Sequence, residues 1–510
     1  MKRQHHWLRR VETVLAARTF WWFVLGLLVA QATWIALSGR YPMAFDEDFH
    51  LGIIRLYAHH LSPFLSGQPA HADQFGAVAR DPSYLYHYLM SFPYRLIAQL
   101  TGDQTLQVLV LRAINIGLLT GGVVLYRRVL LRMGTSRELA HLCLLIFVLI
   151  PVVPLLAAQI NYDNLLLPLV AIILLLGFRF EEHLARERRI DLAALLLLAG
   201  LAMLTSLVKY AFLPIFAAVG MFVAVRLWQR RRTLPAPWLG LPAAWRQLSR
   251  WAQLGCIILL VAASGLFVER YGVNLVRYHT PVPDCGQVLT VEQCSHYGPW
   301  IRDYNYKLNT LDTDAVHSPL TFAADWFYGM WLRLFFAVDG PATQFQTRGP
   351  LLLPGLAGIA FAVGGVLAVM AALPKLWRKH RRGAPRVWLT AAAVICYVAA
   401  LWLDNYRAYV ETGQPVAING RYLVPVLLPV LVLAARAVDE LLGRRQAQKL
   451  AIGLTAVVCL AWGGGALTYI LRSNNAWYWP NSTIRTANHA VQNVLGPLTP
   501  GYRHPTEFMH

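Results

Sequence analysis

Three consecutive carboxylates, Asp46, Glu47 and Asp48, stand in the stretch "FDEDFH", with His50 close behind and an uninterrupted apolar run just before. Charge beside a bilayer is costly, and ionisable residues retained there usually serve a task. The chemistry on offer is general-base catalysis. A carboxylate beside apolar surface and a second carboxylate holds a proton more readily, and can take one from an acceptor hydroxyl. A chain that turns helical at Asp46 puts His50 and Tyr57 near the same face and lets Leu51 and Ile54 bury. Helix capping is the simpler alternative, because an acid in a first turn favours the helix dipole. Capping explains one acid but not three beside a histidine. Asp46 and Glu47 are therefore read as catalytic, and Asp48 and His50 as substrate-binding. The same atoms would suit Mg²⁺ or Mn²⁺. A second D-x-D pair, Asp312 and Asp314, reads as a solvated loop, and an obligatory metal is not expected.

The elements that must carry these acids are membrane helices. The chain has 510 residues, of which 57% are hydrophobic and 14% charged, and its mean hydropathy is +0.44. Apolar runs of about 20 residues, enough to cross a bilayer, recur along its length. Eleven spans are expected, at 20–38, 106–126, 139–157, 163–178, 190–207, 210–226, 251–268, 351–373, 387–403, 422–435 and 451–471. The first run has spanning length and no small-residue cleavage site after it, so it reads as a span rather than a cleaved signal. Two aromatic-rich stretches, 83–100 and 318–338, carry internal charge or proline and read as helices lying at the interface. The fold class is thus all-α and polytopic, with one integral domain over 1–471 and an exterior tail over 472–510.

Charge sets the sidedness. Loops at 1–18, 127–137, 179–191, 226–250, 375–386 and 436–449 hold 29 of the 46 Lys and Arg residues and leave the rest of the chain close to neutral. They alternate as the positive-inside rule requires, placing the amino terminus in the cytoplasm and the acids, the loops 39–105 and 269–350, and the tail outside. The net charge of +20 therefore belongs to loops that meet anionic membrane lipids, and no nucleic-acid partner is expected. Cys285 and Cys294 share the second exterior loop and are expected to form a disulfide, as in an oxidising compartment such as a bacterial periplasm. The other four cysteines fall in apolar spans. No P-loop is present, so nothing in the chain suggests ATP as a driving force.

Taken together, a first span followed at once by "F-D-E-x-x-H" and an interfacial helix resembles the membrane-embedded glycosyltransferases of the GT-C fold. These include protein O-mannosyltransferases, aminoarabinose transferases and a bacterial branch with "DE-x-x-H" early and "GRY-x-x-P" late. Here the late element is "NGRYLVPVLLP" at 419–429, and "NYDNLLLPL" at 161–169 and "LTSLVKYAFLP" at 204–214 also match. The resemblance implies a bundle of about 11 transmembrane helices and a polyprenyl-phosphate-linked sugar as donor. It also implies inversion at the sugar and Asp46 as base with Glu47 adjacent. Asp48 is an extra acid that leaves the choice between Asp46 and Asp48 open.

A departing lipid phosphate needs fixed cations at the membrane boundary. Arg421, Lys209, Arg112 and Arg407 stand near exterior ends of spans and are read as donor-phosphate ligands. Snorkelling, with no partner at all, is the alternative and weighs equally for Lys209 and Arg407. Arg112 lies deep enough in its span to demand a phosphate or an acidic partner. Arg80, Asp163 and Tyr422 complete the substrate-binding set, while Asp163 would serve as well in a pair with Lys209 or Arg112. Tyr84, Tyr86, His87 and Tyr88 could stack on a sugar or form an interfacial belt. The acceptor, whether glycan, lipid or protein, has no signature. A transporter or flippase of lipid-linked sugars, or a polysaccharide ligase or polymerase, is the competing reading. The expected location is a bacterial inner membrane.

Overall fold

A computed structural model describes residues 2–44, 46–65, 67–186, 190–231, 241–310, 318–339, 346–380 and 385–503; Asp312 and Asp314 fall outside these. Nine helices among the described residues are long and apolar enough to cross a membrane: Arg18–Ser38, Gln104–Arg132, Asp163–Arg186, Tyr210–Arg230, Arg250–Tyr278, Leu352–Lys375, Pro385–Thr412, Gly420–Leu442 and Gln446–Arg472. The other two expected spans are also present, in altered form. Leu192–Val208 is an apolar helix of only 17 residues. The stretch expected at 139–157 breaks into Arg137–Leu149 and Val152–Ala157. Pro151 is the cause, since it disfavours helical geometry in the residue before it, and Ile150 is extended, with φ −71° and ψ 120°. The chain is a multi-pass, all-α membrane protein. The strand pair found among the described residues is Ala337–Asp339 against Gln346–Arg348.

Burial separates an inner from an outer layer. Gln104–Arg132 and Asp163–Arg186 pack together at the centre, and 61% of the apolar window in the latter is buried, against 11% in Arg250–Tyr278 and in Leu352–Lys375. The outer helices expose Ile258, Val261, Val366 and Met370, as a lipid-facing surface should, because lipid solvates apolar side chains without penalty. The stretches expected at the interface are helical over Leu85–Leu100 and Pro319–Phe335, and a further helix, Glu47–Ala58, follows the first span.

One buried ion pair joins these layers. Arg112 lies about 12 Å along its helix at 1.5 Å per residue, with no exposure, and faces Glu47, also unexposed. Arg112 Nε and Nη2 donate to Glu47 Oε1 and Oε2 at 2.8 and 2.7 Å, while Nη1 donates to the Ala36 and Gly39 carbonyls at 2.8 and 2.7 Å. Glu47 also accepts from the Met43 and Ile160 backbone amides. Both charges are thus fully engaged, which a buried pair needs to offset its desolvation. The pair ties the end of the first span to the helix that follows it, to the central helix, and to the connection after Val152–Ala157.

The tail closes over the same place. Arg40 and Trp479 backbone amides donate to the Trp477 and Ser38 carbonyls at 2.9 and 3.0 Å, Trp34 Nε1 donates to Asn488 Oδ1 at 2.9 Å, and the Trp479 ring lies 5.9 Å from the Arg112 guanidinium. Cys285 and Cys294 are joined by a disulfide with 5.9 Å between Cα atoms. That loop docks on the segment between the first two membrane helices through His296 and Asp73 at 2.5 Å and through Tyr297, whose ring would lie 3.1 Å from a Cβ at Gly76. Gly420 has a similar constraint. A Cβ there would sit 2.5 Å from the Met330 carbonyl oxygen and 2.7 Å from Leu334 N, inside the backbone of Pro319–Phe335.

Two outcomes follow for stability. Arg112→Ala or Glu47→Ala leaves the other charge buried alone and should cost about 3–5 kcal/mol, seen as a lowered unfolding midpoint in detergent, with Arg112→Met/Glu47→Leu losing clearly less than either single change. Gly420→Ala should lower the midpoint by an overpacking cost of about 1–3 kcal/mol, whereas Gly364→Ala, in open space on an outer helix, should not.

Candidate functional site

Adjacent acids point to different partners because the backbone turns sharply between span and helix. Asp46 takes the left-handed conformation, φ 67° and ψ 27°, ahead of Glu47–Ala58. Asp tolerates that region better than most residues. Its carboxylate makes no capping bond, so the capping alternative does not describe it. Asp46 Oδ2 instead meets Arg421 Nη2 at 2.5 Å, with the Asp46 side chain 55% exposed and that of Arg421 4% exposed. Glu47 turns inward to Arg112, and Asp48 is exposed.

Breaks in the membrane helices bring the cations. Leu192–Val208 ends at Lys209, which is extended with φ −154° and ψ 121°. The chain then re-enters a helix at Leu213–Arg230, with Pro214 in its first turn, where a missing amide does no harm. Free of helical geometry, Lys209 reaches inward, and Nζ meets Asp163 Oδ1 at 2.6 Å. The "NGRY" stretch makes a turn over Gly420–Leu423, in which Asn419 Oδ1 accepts from the Arg421 amide at 3.1 Å. Tyr397 donates its hydroxyl to the Tyr422 carbonyl at 2.7 Å.

Tyr162 and Tyr422 bind these parts into one site. Lys209 Nζ lies 4.5 Å from the Tyr162 ring and 4.8 Å from the Tyr422 ring, and the Arg421 guanidinium lies 5.2 Å from the latter. Such placements favour a cation through the ring quadrupole. "NYDN" is held by a polar knot. Asn161 Oδ1 accepts from the Asp163 amide at 2.9 Å. Asn164 Nδ2 donates to Asn115 Oδ1 at 3.0 Å, and Tyr86 donates to that same oxygen at 2.9 Å. On the other side of Tyr162 stands His50, with ring centroids 4.6 Å apart. Its Nδ1 lies 2.9 Å from His87 Nε2, and His87 Nδ1 lies 3.1 Å from the Ser83 carbonyl. Burial pushes His87 down to about 3. Burial first, then the charges of His87, Arg421 and Lys209, hold His50 well below the usual histidine range.

Of the expected site residues, Asp46, Arg421, Tyr422, Lys209, Asp163 and His50 are brought together. Arg112 takes the acidic partner of its two alternatives and is engaged by Glu47. Arg407 is 82% exposed and pairs along its own helix with Glu411 at 2.8 Å. Arg80 meets Glu269 at 2.7 Å and anchors the segment between the first two membrane helices to Arg250–Tyr278. Tyr84 and Tyr86 are buried in the core, so the sugar-stacking alternative does not describe them. The sequence offers His87 only as a sugar-stacking or belt residue; Tyr162 is signalled only by its place in "NYDN", and nothing in the sequence signals Asn115. Among the described residues no three His, Cys, Asp or Glu side chains gather as a metal set. The expected ligands face other partners, with Asp46 on Arg421, Glu47 on Arg112 and His50 on His87.

Comparison with known proteins adds the following. No curated protein matches the chain. Among solved structures, ArnT from Cupriavidus metallidurans bound to undecaprenyl phosphate is 16% identical, with a TM-score of 0.44, over 94% of this chain and 70% of that one. The Archaeoglobus fulgidus oligosaccharyltransferase in the apo form is 14% identical, with a TM-score of 0.40, over 88% of this chain and 56% of that one. AglB, the oligosaccharyltransferase of the same organism in complex with an inhibitory peptide and a dolichol-phosphate, is 14% identical, with a TM-score of 0.40, over 89% and 56%. Residues 24–274 match the model of the family described as dolichyl-phosphate-mannose-protein mannosyltransferase, and this match bears out the resemblance to GT-C membrane glycosyltransferases that the motifs carry.

Proposed function

We propose that this chain transfers a sugar from a polyprenyl-phosphate-linked donor to a glycan, lipid or protein acceptor at the exterior face of a bacterial inner membrane. The observation that carries this reading is the Asp46–Arg421 ion pair, set beside Lys209 at the ends of membrane helices. A lipid phosphate anchored in the bilayer reaches the same level as these cations. The family match, together with ArnT and AglB having been solved with undecaprenyl phosphate and dolichol-phosphate, points to the same class of donor.

The chemistry follows from the pairings. A donor phosphate competes with Asp46 for Arg421, and Lys209 supplies the second positive charge. Arg421 then moves from carboxylate to phosphate, which frees Asp46 to accept the proton of the acceptor hydroxyl. The acceptor oxygen attacks the anomeric carbon as the bond from that carbon to the phosphate oxygen breaks. Its electron pair leaves with the phosphate, where the cations stabilise the developing charge. A single displacement inverts the anomeric centre. Asp46 rather than Glu47 is the base, because both Glu47 oxygens are engaged by Arg112 and backbone amides. Exposed Asp48 is the second candidate. The exterior placement agrees with the Cys285–Cys294 disulfide on the same side of the chain, a bond that oxidising compartments favour.

One observation favours a transporter as the second reading. The helix breaks at Ile150 and Lys209 resemble the discontinuous helices at which transporters hold substrates. Proteoliposomes loaded with polyprenyl-phosphate sugars separate the two by following sugar transfer and lipid flipping independently. Asp46→Asn should lower transfer about 10²- to 10⁴-fold, the range for loss of a general base, while undecaprenyl phosphate still binds. Unchanged transfer would remove Asp46 as base, and flipping without transfer would favour the transporter. Lys209→Met should weaken undecaprenyl phosphate binding and make the remainder less sensitive to salt, read by native mass spectrometry and by titration across ionic strength.

A further inference from the structure

His50 and His87 have no assigned task in this reaction, yet their hydrogen bonds run in one direction only. The Ser83 carbonyl oxygen can only accept, so His87 Nδ1, 3.1 Å away, is the donor. A neutral imidazole has one donor and one acceptor nitrogen, so His87 Nε2 is an acceptor. His50 Nδ1, 2.9 Å from it, must then carry a hydrogen, and His50 Nε2 is left with a lone pair. That nitrogen is fully buried and has no hydrogen-bond partner among the described residues. Buried polar atoms are rarely left so in folded chains.

We propose that His87 fixes the tautomer of His50, so that His50 Nε2 receives a hydroxyl of the sugar-bearing substrate beside Lys209 and Arg421. The inference rests on the transferase reading above. Three surroundings choose the ligand class. The rings of Tyr162, Tyr86 and Phe49 stand steeply inclined to the imidazole, with centroids 4.6, 6.3 and 5.5 Å away, and make its surroundings aromatic. Lys209 and Arg421 repel a cationic ligand. The lone pair repels an anion. A neutral O–H remains. Burial and the same two cations oppose imidazolium, so His50 accepts a hydrogen bond without taking the proton, which stays the business of Asp46. The two sit one helical turn apart, the His50 amide donating to the Asp46 carbonyl at 2.9 Å. His50 is in this scheme a binding residue and His87 a positioning residue. The hydroxyl could belong to the donor sugar or to the acceptor.

The test uses the full chain, labelled with ¹⁵N-histidine in nanodiscs, with His50 assigned by the signal missing in His50→Gln. Wild type and His87→Gln, whose amide oxygen can still accept from Nδ1, should both show an unprotonated Nε2 at His50, and His87→Ala should lose it. Undecaprenyl phosphate linked to mannose, glucose or arabinose is then compared with bare undecaprenyl phosphate. A hydrogen-bond shift of Nε2 with a sugar-bearing lipid but not the bare one assigns the donor hydroxyl. A shift only when methyl α-mannoside joins the bare-lipid complex assigns the acceptor hydroxyl. Binding by native mass spectrometry should show His87→Ala weakening the hydroxyl-bearing ligand about tenfold relative to the bare lipid, the loss of one hydrogen bond, and His87→Gln restoring it. A wrong tautomer, no shift with any of these probes, or equal weakening of bare and sugar-bearing lipid overturns the proposal. Failure of bare undecaprenyl phosphate to bind at all would instead sink the transferase reading, and the tautomer result would stand apart from it.

Discussion

A charge inside a membrane bundle must find a partner, and the Glu47–Arg112 pair meets that requirement where the first span, the helix after it and the central helix come together. Four of the five guanidinium N–H groups have acceptors among the described contacts: two carboxylate oxygens and two carbonyls at the end of the first span. The carboxylate in turn collects amides from Met43 and Ile160. The turn after the first span, the helix Glu47–Ala58 and the connection leading into "NYDN" are therefore held at one point. Asp46, His50, Tyr162 and Asp163 all hang from elements that meet there.

The same constraint divides labour between neighbours in sequence. A carboxylate with both oxygens engaged in a dry, bidentate pair is a structural element. The next acid along, on a left-handed residue and half exposed, is available to a ligand. One backbone conformation thus gives a run of similar acids different partners and different exposure. Lys209 and Arg421 stand to Arg112 in the same relation. All three are buried cations, but Arg112 holds both oxygens of its carboxylate, whereas Lys209 and Arg421 meet Asp163 and Asp46 beside the rings of Tyr162 and Tyr422.

Helix breaks do the positioning. An intact helix would direct Lys209 along its own surface, and the break lets it turn toward Asp163. Gly420 allows the backbone of Pro319–Phe335 to lie against the turn that presents Arg421. The loop that carries the Cys285–Cys294 disulfide brings Tyr297 against Gly76 and within 6.0 Å of the Phe49 ring. Phe49 in turn borders His50 and His87. Aromatic rings thus stand on several sides of the buried His50–His87 pair.

Much of this was legible in the residues alone, for physical reasons. Bilayer thickness and apolar run length determine where spans begin and end, because these are local properties of the chain. An acid triplet at a membrane exit and cations at span ends announce themselves by cost. Which acid meets which cation was not legible. Glu47 and Arg112 are 65 residues apart, and Asp46 and Arg421 are 375 apart, so only the packing of helices, their breaks at Ile150 and Lys209, and the left-handed turn at Asp46 could decide the pairing. Arg407 shows the limit from the other side: in sequence it is a span-end cation like Arg421, yet its helix turns it out to Glu411. His87 and Tyr162, ordinary residues in aromatic-rich stretches, acquire a role only because tertiary structure sets them against His50.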